Sequence, residues 1–430
     1  MAETKQPDPG TRAVWSGESK ISFENATQTP VVHSVSYGYP DLESWLDAAR
    51  GRGSGFIYGR NDNPTVRVFE EKIAALEGAP AALGFGTGMG AISATLFTLL
   101  RPGDTVVSVK DTYGGTSVLF MEFLPRIKVR VRLCETTDLQ AVAQAIAQGC
   151  KVVYLETPTN PTLKVLDLAR ISALAKKAGA VVVVDNTFAT PINQNPLELG
   201  ADLVIHSATK FLGGHADALG GAVCGSADLI ERIYHYREII GSILHPEAAY
   251  LILRGMKTLH LRVARQNRSA LALAHWLEDR DQVEEVFYPG LPDDPGHRLA
   301  AGQMRGFGGV LSFTLRGGLP AVGRFLKKLR YAHLAANLGA VETIAGPPAT
   351  TSHVECTPEE RAALGIPEGL VRYSVGIEDV EDLRTDLAQA LGAVDENGEE
   401  DAPNPGEDRP SVPRSPFDRL YAILSEEGQG

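Results

Sequence analysis

Cysteine is scarce in this chain of 430 residues, and long apolar runs are missing from it. The four cysteines are scattered, with neither a CxxC pair nor a Cys/His spacing that would suit a metal: Cys134, Cys150, Cys224 and Cys356. This usage argues against a disulfide framework or a zinc site and favours reduced, mostly buried thiols in the cytoplasm. No apolar stretch approaches the roughly 20 residues that a membrane span needs, so no membrane segment is predicted.

Basic residues are fewer than acidic residues in this chain. Lys and Arg number 41 against 53 Asp and Glu, giving a formal net charge of -12, which argues against a nucleic-acid partner. Residues 1–20 are polar without an apolar core, so we predict no secretory signal and a cytoplasmic location. The fingerprint GxGxxG followed by an acid about 20 residues on, typical of dinucleotide binding, is absent. A hydrophobic content of 43% remains ordinary for a globular chain with a large core.

Composition divides the chain into four predicted parts. Residues 1–63 are predicted to be a flexible leader and an extended arm without helical periodicity, which would pack on a second subunit. A large domain is predicted over 64–255 and a smaller one over 256–394. Residues 395–430 hold ten acids against three arginines, with five prolines, and are predicted to be a disordered acidic tail. Within the tail, residues 417–424 are either a short docking helix or, as we favour, random apolar content.

Short apolar strands alternate with helical segments through the predicted large domain. This alternation predicts a mainly parallel sheet covered by helices on both faces, and ligands in such sheets bind beyond the carboxyl ends of the strands. Helical spacing predicts one helix over 116–124 and long helical sequence over 246–279. Polar or glycine-rich segments follow five of the predicted strands, at 86–88, 111–113, 156–158, 185–186 and 207–210. We therefore expect these segments to meet at one edge of the sheet.

Lys210 lies directly after a predicted strand, in the segment SATKFLGGH at 207–215. A lysine there is more often a surface residue than a reactive amine, so its neighbours matter. Ser207 and Thr209 can donate hydrogen bonds to phosphate oxygens. The glycine turn at 86–90 opens a helix, whose amides and dipole favour an anion. Two phosphate cradles around a lysine suit pyridoxal phosphate (PLP) held as a Schiff base better than a dinucleotide.

Asp185 and Tyr113 each allow two interpretations. Asp185 ends an all-valine strand, where it either caps a turn or pairs with the pyridine nitrogen of PLP. In the second case it keeps the nitrogen protonated and makes the ring an electron sink. Tyr113 is either a core tyrosine or a side chain that stacks on the ring and acts as an acid or base.

Six sequence blocks, in this order, resemble the PLP-dependent enzymes of cysteine and methionine metabolism, meaning cystathionine γ-synthase, cystathionine γ-lyase and their relatives. The resemblance covers roughly residues 20–394. The blocks are YGRNDNPT at 58–65, YGGT at 113–116, ETPTNP at 156–161, VDNTFATP at 184–191, SATKFLGGH at 207–215 and VRYSVGIE at 371–378. 

The resemblance implies a role for each residue that matches a family motif. Lys210 would bind the cofactor and shuttle protons, Asp185 would pair with the pyridine nitrogen, and Tyr113 would stack on the ring and assist proton transfer. Arg372 would clamp the substrate α-carboxylate with its two-pronged guanidinium. Further expected ligands are Gly88, Met89, Ser207 and Thr209 for the phosphate, Glu156 for cofactor orientation, and Asn160 for the ring hydroxyl or the substrate carboxylate.

Fold and assembly are implied in the same way. The family has the PLP-dependent transferase fold type I, like aspartate aminotransferase, with a large, mainly parallel α/β domain and a smaller α/β domain at the C-terminus. The resemblance also implies a homotetramer assembled as a dimer of dimers. In it, Tyr58 and Arg60 would reach the phosphate in the neighbouring subunit's site.

The chain departs from the family pattern where relatives recognise the substrate. Ile57 stands where an acid often precedes the Tyr-x-Arg motif, and residues 336–340 read ANLGA in place of ESLGG. Ala336 thus replaces an acid that faces the distal part of cystathionine in relatives, and Asn337 replaces a serine. We hypothesise a smaller or less charged substrate side chain. The substrate-binding residues are then predicted to be Ile57, Tyr113, Asn160, Asn337 and Arg372.

The predicted activity is removal or replacement of a group at the γ- or β-carbon of an L-amino acid, through a vinylglycine-type intermediate in the γ case. One alternative is a specialised γ-elimination on a small halogenated or unsaturated amino acid that yields an alkenyl or alkynyl amino acid. Gly115 lacks the cysteine expected there in methionine γ-lyases, which weakens that assignment. A non-catalytic PLP-fold binding protein and an aminotransferase are the competing classes.

Overall fold

Two β-sheets organise the described part of the chain. A computed structural model describes residues 7–19, 25–52, 55–353 and 358–394. A seven-stranded sheet is built between residues 81 and 225, and a five-stranded sheet between residues 283 and 374. The predicted boundary at residue 256 falls in the helical region between the sheets and stays a prediction. The predicted acidic tail at 395–430, with its segment 417–424, lies outside the described residues.

The larger sheet is mainly parallel, which confirms the predicted fold class. Its strands are β1 (Ala81–Phe85), β2 (Thr105–Val109), β3 (Arg130–Cys134), β4 (Val152–Glu156), β5 (Val181–Asp185), β6 (Leu203–Ser207) and β7 (Gly221–Gly225), in the order β1-β7-β6-β5-β4-β2-β3. Only β7 runs antiparallel, to both β1 and β6. Every residue of β2 and β4 is buried, as expected for central strands covered on both faces, and this accounts for their runs of valine.

Two helices in the N-terminal arm were not expected from the sequence. They are α1 (Pro9–Trp15) and α2 (Leu42–Ala49), so the prediction of a segment without helix was wrong at these places. The leader and arm, and the packing of the arm on a second subunit, stay predictions. The buried Lys72 holds α1 by donating a hydrogen bond from Nζ to the carbonyl of Ala13 at 3.1 Å. Asp41 caps α2 by accepting a hydrogen bond from a backbone amide at 2.7 Å. A tertiary hydrogen bond therefore helps to hold α1 and a capping side chain helps to hold α2, and apolar periodicity in the sequence indicates neither helix.

Helix α3 (Pro64–Glu77) joins the arm to the large sheet. Asn63 caps its N-terminus by accepting a hydrogen bond from the amide of Thr65 at 2.9 Å, and proline occupies the first turn, where its missing N–H costs nothing. Gly78 ends the helix with a φ of +68°, in the left-handed region that glycine adopts without strain. Asn63 and Gly78 thus mark the two ends of this helix.

Further helices accompany the larger sheet in the described residues. They are α4 (Gly88–Leu99), α5 (Gly114–Val118), α6 (Leu124–Arg126), α7 (Leu139–Ala147), α8 (Leu168–Lys177), α9 (Thr190–Asn193) and α10 (Ala227–Ile240). A π-helical turn, Leu119–Phe123, links α5 to α6, so the helix predicted over 116–124 begins earlier and ends later than expected. A 3₁₀ turn, Pro196–Leu199, precedes β6.

The long helical sequence predicted over 246–279 forms two helices. They are α11 (Pro246–Met256) and α12 (Leu259–Glu278). Arg262 of α12 donates hydrogen bonds to the carbonyl of Gly255, at the end of α11, and to the carbonyl of Phe211, each at 2.8 Å. The break thus lets one buried guanidinium satisfy both a helix end and the turn that follows Lys210.

The smaller sheet is mostly antiparallel. Its strands are β8 (Val283–Phe287), β9 (Val310–Leu315), β10 (His333–Leu334), β11 (Ile344–Gly346) and β12 (Leu370–Ser374), in the order β10-β11-β12-β9-β8. The remaining helices are α13 (His297–Gln303), α14 (Gly318–Lys328), α15 (Pro358–Ala363) and α16 (Val380–Gly392), and a 3₁₀ turn covers Pro348–Thr350. Strand β12 carries Arg372 and is buried throughout.

Candidate active site

A cavity of about 370 Å³ lies at the carboxyl ends of the parallel strands. Ten of the predicted site residues line it: Gly88, Met89, Tyr113, Glu156, Asn160, Asp185, Ser207, Thr209, Lys210 and Arg372. They come from loops and strand ends that are far apart in the chain, as the parallel topology requires.

Lys210 projects from the turn that follows β6. Its Nζ donates a hydrogen bond to Oδ1 of Asn337 at 2.7 Å. Burial, with the charge of Arg372 as a second cause, lowers the pKa of Lys210 from 10.5 to about 8. At neutral pH a larger fraction of this side chain is therefore free amine, the form that attacks an aldehyde and accepts a proton.

Arg372 lies on β12 and lines the cavity. Its Nη1 donates a hydrogen bond to Oδ1 of Asn160, and its Nη2 donates to the carbonyl of Asn337, both at 3.0 Å. Burial lowers the pKa of Arg372 to about 10, so the guanidinium stays charged at neutral pH. Asn337 thus contacts Lys210 through its side chain and Arg372 through its backbone, which brings the amine and the cation together.

Asp185 ends β5 and is 7% exposed. Its Oδ1 accepts hydrogen bonds from the amide of Thr187 at 3.0 Å and from the Thr187 hydroxyl at 2.5 Å, and Oδ2 accepts from the Tyr154 hydroxyl at 3.5 Å. Burial raises the pKa of Asp185, and the hydrogen bonds from Thr187 oppose that rise. A cation placed against this carboxylate, such as a protonated pyridine nitrogen, would favour the ionised form.

The N-terminus of α4 faces the turn that carries Lys210. Thr87 caps this helix by accepting a hydrogen bond from the amide of Gly90 at 2.9 Å. The helix begins at Gly88, inside the glycine turn predicted over 86–90. A Cβ on Gly88 would lie 2.9 Å from Cβ of Ser207, so only glycine leaves this cradle open. Helix amides beside a serine hydroxyl form an anion site of the kind that phosphate occupies.

Glu156 and Tyr113 form the wall beside the cradle. Oε2 of Glu156 accepts a hydrogen bond from the amide of Tyr113 at 2.8 Å, which orients the turn that carries the tyrosine. Burial, and next the neighbouring charge of Asp185, raises the pKa of Glu156 well above its ordinary value. The Tyr113 side chain is 45% exposed at the cavity mouth, the position expected of a residue that covers a bound ring.

The residues present fit PLP. The cavity offers an amine at Lys210, a carboxylate at Asp185 and a glycine cradle with hydroxyls at Ser207 and Thr209. The Thr209 hydroxyl is tied to Gly220, whose amide donates to it at 3.0 Å. The amine matches the aldehyde of the cofactor, the carboxylate matches its pyridine nitrogen, and the cradle with its hydroxyls matches its phosphate.

Ile57, Tyr58 and Arg60 do not line this cavity. Nη1 of Arg60 donates a hydrogen bond to the carbonyl of Glu238 on α10 at 2.5 Å, and its guanidinium lies over the Tyr58 ring at 5.6 Å from the centroid. The expected place of Tyr58 and Arg60 in a neighbouring subunit's site stays a prediction, and so does the substrate-binding role predicted for Ile57, which the lining of this cavity does not include. Asn337 contacts Lys210, while its neighbour Ala336 lines the wall.

Sequence reasoning assigned no role to several other cavity residues. They are Thr87, Ile92, Thr187, Phe188, Leu219, Leu338, Thr351 and Ser352. Thr187 could have been found, because it lies two residues after Asp185 in a quoted motif. Thr351 and Ser352 follow β11 in a loop with no motif of its own.

Two further properties concern the described residues only. None of their helices has the length and apolar character that crossing a membrane requires. Within those same residues, His, Cys, Asp and Glu side chains form no cluster that would hold a metal ion.

Fold and site together define a fold type I PLP-dependent enzyme. The family model described as Cys/Met metabolism PLP-dependent enzyme matches residues 10–392, and the chain belongs to that family. It therefore uses PLP and acts on a small amino-acid substrate, which sets aside a non-catalytic binding protein.

Individual relatives match over nearly the whole described chain. L-methionine gamma-lyase of Pseudomonas putida is 43% identical, over 90% of this chain and 98% of that protein. Chloroplastic cystathionine gamma-synthase 1 of Arabidopsis thaliana is 42% identical, over 90% of this chain and 69% of that protein. The crystal structure of cystathionine gamma synthase from Xanthomonas oryzae pv. oryzae superposes with a TM-score of 0.86 at 40% identity, covering 91% of this chain and 99% of that one. Lyases and synthases thus match almost equally, so identity alone does not choose between their reactions.

Proposed function

We propose that this enzyme acts at the γ-carbon of a small L-amino acid with an uncharged side chain. The γ-group leaves, and the product is either a 2-oxo acid with ammonia or, when a thiol is present, the γ-substituted amino acid. The observation that carries this proposal is the arrangement of Lys210, Asn337 and Arg372, in which Asn337 contacts both the amine and the guanidinium.

Arg372 is suited to bind the substrate α-carboxylate. Its guanidinium is buried, charged and held by Asn160 and by the carbonyl of Asn337, so its orientation is fixed before substrate arrives. A carboxylate bound there presents the α-carbon to Lys210. We therefore assign Arg372 and Asn160 to substrate binding.

Lys210 is suited to move protons. Its lowered pKa, about 8, allows the amine to accept a proton near neutral pH and to return it later. Bound PLP supplies the electron sink that acidifies the protons on the α- and β-carbons. The reaction at the γ-carbon requires both protons to leave, and Tyr113 at the cavity mouth is the second group placed to assist.

The wall near Ala336 supports an uncharged substrate side chain. Ala336 and Leu338 line the cavity, and Leu219 is a further apolar lining residue. The carboxylates among the lining residues are Asp185 and Glu156, which we assign to the cofactor. A distal ammonium would find no opposite charge among the described lining residues near Ala336, and desolvating it unpaired is costly.

The proposal is tested by comparing two substrates that share the γ-leaving chemistry. O-acetyl-L-homoserine has a small uncharged γ-ester, whereas L-cystathionine carries a distal ammonium and carboxylate. We expect a higher kcat/KM for the ester, measured as 2-oxobutanoate and ammonia released without thiol. A preference for cystathionine would sink the proposed specificity. Pyruvate with homocysteine as the main products from L-cystathionine, in place of 2-oxobutanoate with cysteine, would show β-chemistry instead of γ-chemistry.

We also propose that the enzyme is a dimer of dimers in which Tyr58 and Arg60 complete the neighbour's site. The cations that line the cavity within the described residues are Lys210 and Arg372, both assigned elsewhere, so a phosphate dianion would gain a partner from Arg60. Tyr58 is 42% exposed and lies away from its own cavity. The cytoplasmic location remains a prediction.

A further inference from the structure

Glu77, the last residue of α3, is a fully buried carboxylate that the proposed chemistry does not use. Its Oε1 accepts hydrogen bonds from Nε2 of His206 at 2.6 Å and from Nδ2 of Asn186 at 2.8 Å. Its Oε2 accepts from Nδ2 of Asn195 at 3.2 Å. A buried carboxylate is destabilising unless it is paired and hydrogen-bonded, so these three donors are what keep Glu77 in the interior.

Two of these donors adjoin residues of the cofactor site. Asn186 follows Asp185 at the end of β5, and His206 precedes Ser207 at the end of the neighbouring strand β6. Successive side chains along a strand point to opposite faces. Asp185 and Ser207 therefore reach the cavity while their neighbours reach Glu77, which fixes both strand ends from behind the site.

The hydrogen-bond network continues beyond Glu77 toward the C-terminal part of the chain. Nε2 of Gln194 donates to Oδ1 of Asn186 at 3.0 Å, and Nε2 of Gln303 in α13 donates to Oε1 of Gln194 at 3.1 Å. Nη2 of Arg305 donates to Oδ1 of Asn195 at 2.5 Å. In a buried network each group depends on its partners, so loss of the central carboxylate would disturb several strand-end side chains at once.

We infer that Glu77 is a positioning residue for cofactor binding. Acting through Asn186 and His206, it holds Asp185 and Ser207 where they meet the pyridine nitrogen and the phosphate. The inference rests on the proposed roles of Asp185 and Ser207 toward PLP, and it adds a residue that does not itself touch the cofactor. Glu77 also links the end of α3 to both strands, since its three donors come from segments remote in sequence.

The test is Glu77→Gln in the full chain, which keeps the side-chain shape and replaces one acceptor oxygen by a donor. Equilibrium dialysis of the holoenzyme should show a PLP dissociation constant raised about tenfold, as expected when a buried hydrogen-bonding partner is lost. The visible absorbance of bound PLP should also titrate at a shifted pH, because Asp185 is displaced from the pyridine nitrogen.

The matched control is Asp386→Asn, which alters another buried carboxylate. Asp386 in α16 accepts hydrogen bonds from the amides of Arg330 and Tyr331, away from the cavity lining. This variant should lower the melting temperature but leave the PLP dissociation constant within about twofold. If Glu77→Gln behaves in the same way, Glu77 is merely structural and the inference is overturned.

A second variant covers the case in which Glu77→Gln does not fold. Asn186→Ala removes the link from Glu77 to β5 and leaves the contact of Glu77 with His206 in place, and it should weaken PLP binding in the same direction. Asp185→Asn separates the inference from the function on which it rests. Weakened binding in Asp185→Asn, with unchanged binding in Glu77→Gln and Asn186→Ala, would overturn the inference and leave the role of Asp185 standing.

Discussion

Asp185 is buried and Lys210 is partly buried, and burial shifts the pKa values of these two side chains in opposite directions. Burial lowers the pKa of Lys210 to about 8 and raises the pKa of Asp185, so both shifts favour the neutral forms before cofactor binds. Their identity could be predicted because each follows an apolar strand in a recognisable motif. The contact of Lys210 with Asn337 could not, because 127 residues separate the two in the chain.

The shifted pKa of Lys210 predicts how the stability of the apoprotein depends on pH. The unfolded chain binds this proton up to its ordinary pKa of 10.5 and the folded chain only up to about 8, so this group makes stability rise with pH between those values. Below pH 8 the buried charge destabilises the fold. Lys210→Met should therefore be more stable than the wild-type apoprotein there, by about 2 kcal/mol, with the difference vanishing toward pH 10.5.

Urea unfolding of the apoproteins at several pH values measures this difference. The control Lys177→Met changes an exposed lysine at the end of α8 and should alter stability by less than about 0.5 kcal/mol throughout. A pH-independent difference for Lys210→Met would show that burial does not perturb this amine.

Ala336 tests the substrate hypothesis at a single position. Ala336→Glu places a carboxylate on the exposed side of the cavity wall, which now offers none. It should raise the ratio of kcat/KM for L-cystathionine over O-acetyl-L-homoserine by about threefold or more, since an opposite charge attracts the distal ammonium. Ala336→Gln has the same size without the charge and should move the ratio much less. Equal ratios in the two variants would mean that charge at this wall does not select the substrate.

At the scale of elements, sequence periodicity located most of the strands and helices of the larger sheet. Central strands such as β4 are fully buried and read as unbroken apolar runs, which made them easy to recognise. Helix α1 buries little more than Ala13 and carries too weak a pattern. The break between α11 and α12 depends on Arg262 reaching carbonyls on a distant turn, which no local signal reveals.

The start of α4 supplies a prediction about cofactor affinity. Gly88→Ala would place a Cβ 2.9 Å from Cβ of Ser207 and crowd the phosphate cradle, so the PLP dissociation constant should rise at least about tenfold. Gly323→Ala in α14 is the matched control, because a Cβ there meets nothing within 4 Å. That substitution should leave PLP binding unchanged and stabilise the helix by up to about 1 kcal/mol. Equal PLP binding by both variants would show that the cradle does not hold the phosphate.

At the scale of the whole molecule, the fold class followed from the alternation of strands and helices, but the assembly did not. Arg60 contacts α10 of its own chain, and its guanidinium lies over the Tyr58 ring. Their use by a neighbour is proposed from the motif and from their absence from the lining of their own cavity.

Hybrid oligomers test this use of the arm. Lys210→Ala and Arg60→Ala should each lower activity strongly as pure proteins. If Arg60 acts in the neighbouring site, a mixed dimer contains one complete site, with Lys210 from the Arg60→Ala chain and Arg60 from the Lys210→Ala chain. Co-expression of the two variants should then restore activity well above that of either variant alone. No recovery in hybrids of verified composition would indicate that Arg60 acts within its own chain.

The most direct test of the central claim is NMR identification of the product formed from O-acetyl-L-homoserine by the holoenzyme in D₂O, with and without an added thiol. Proton removal from both the α- and β-carbons, with loss of the γ-group, predicts deuterated 2-oxobutanoate without thiol and the corresponding thioether amino acid with it. Lys210→Ala should form neither. A 2-oxo acid that still carries the acetoxy group would indicate amino transfer and would contradict the assignment of γ-carbon chemistry to this site.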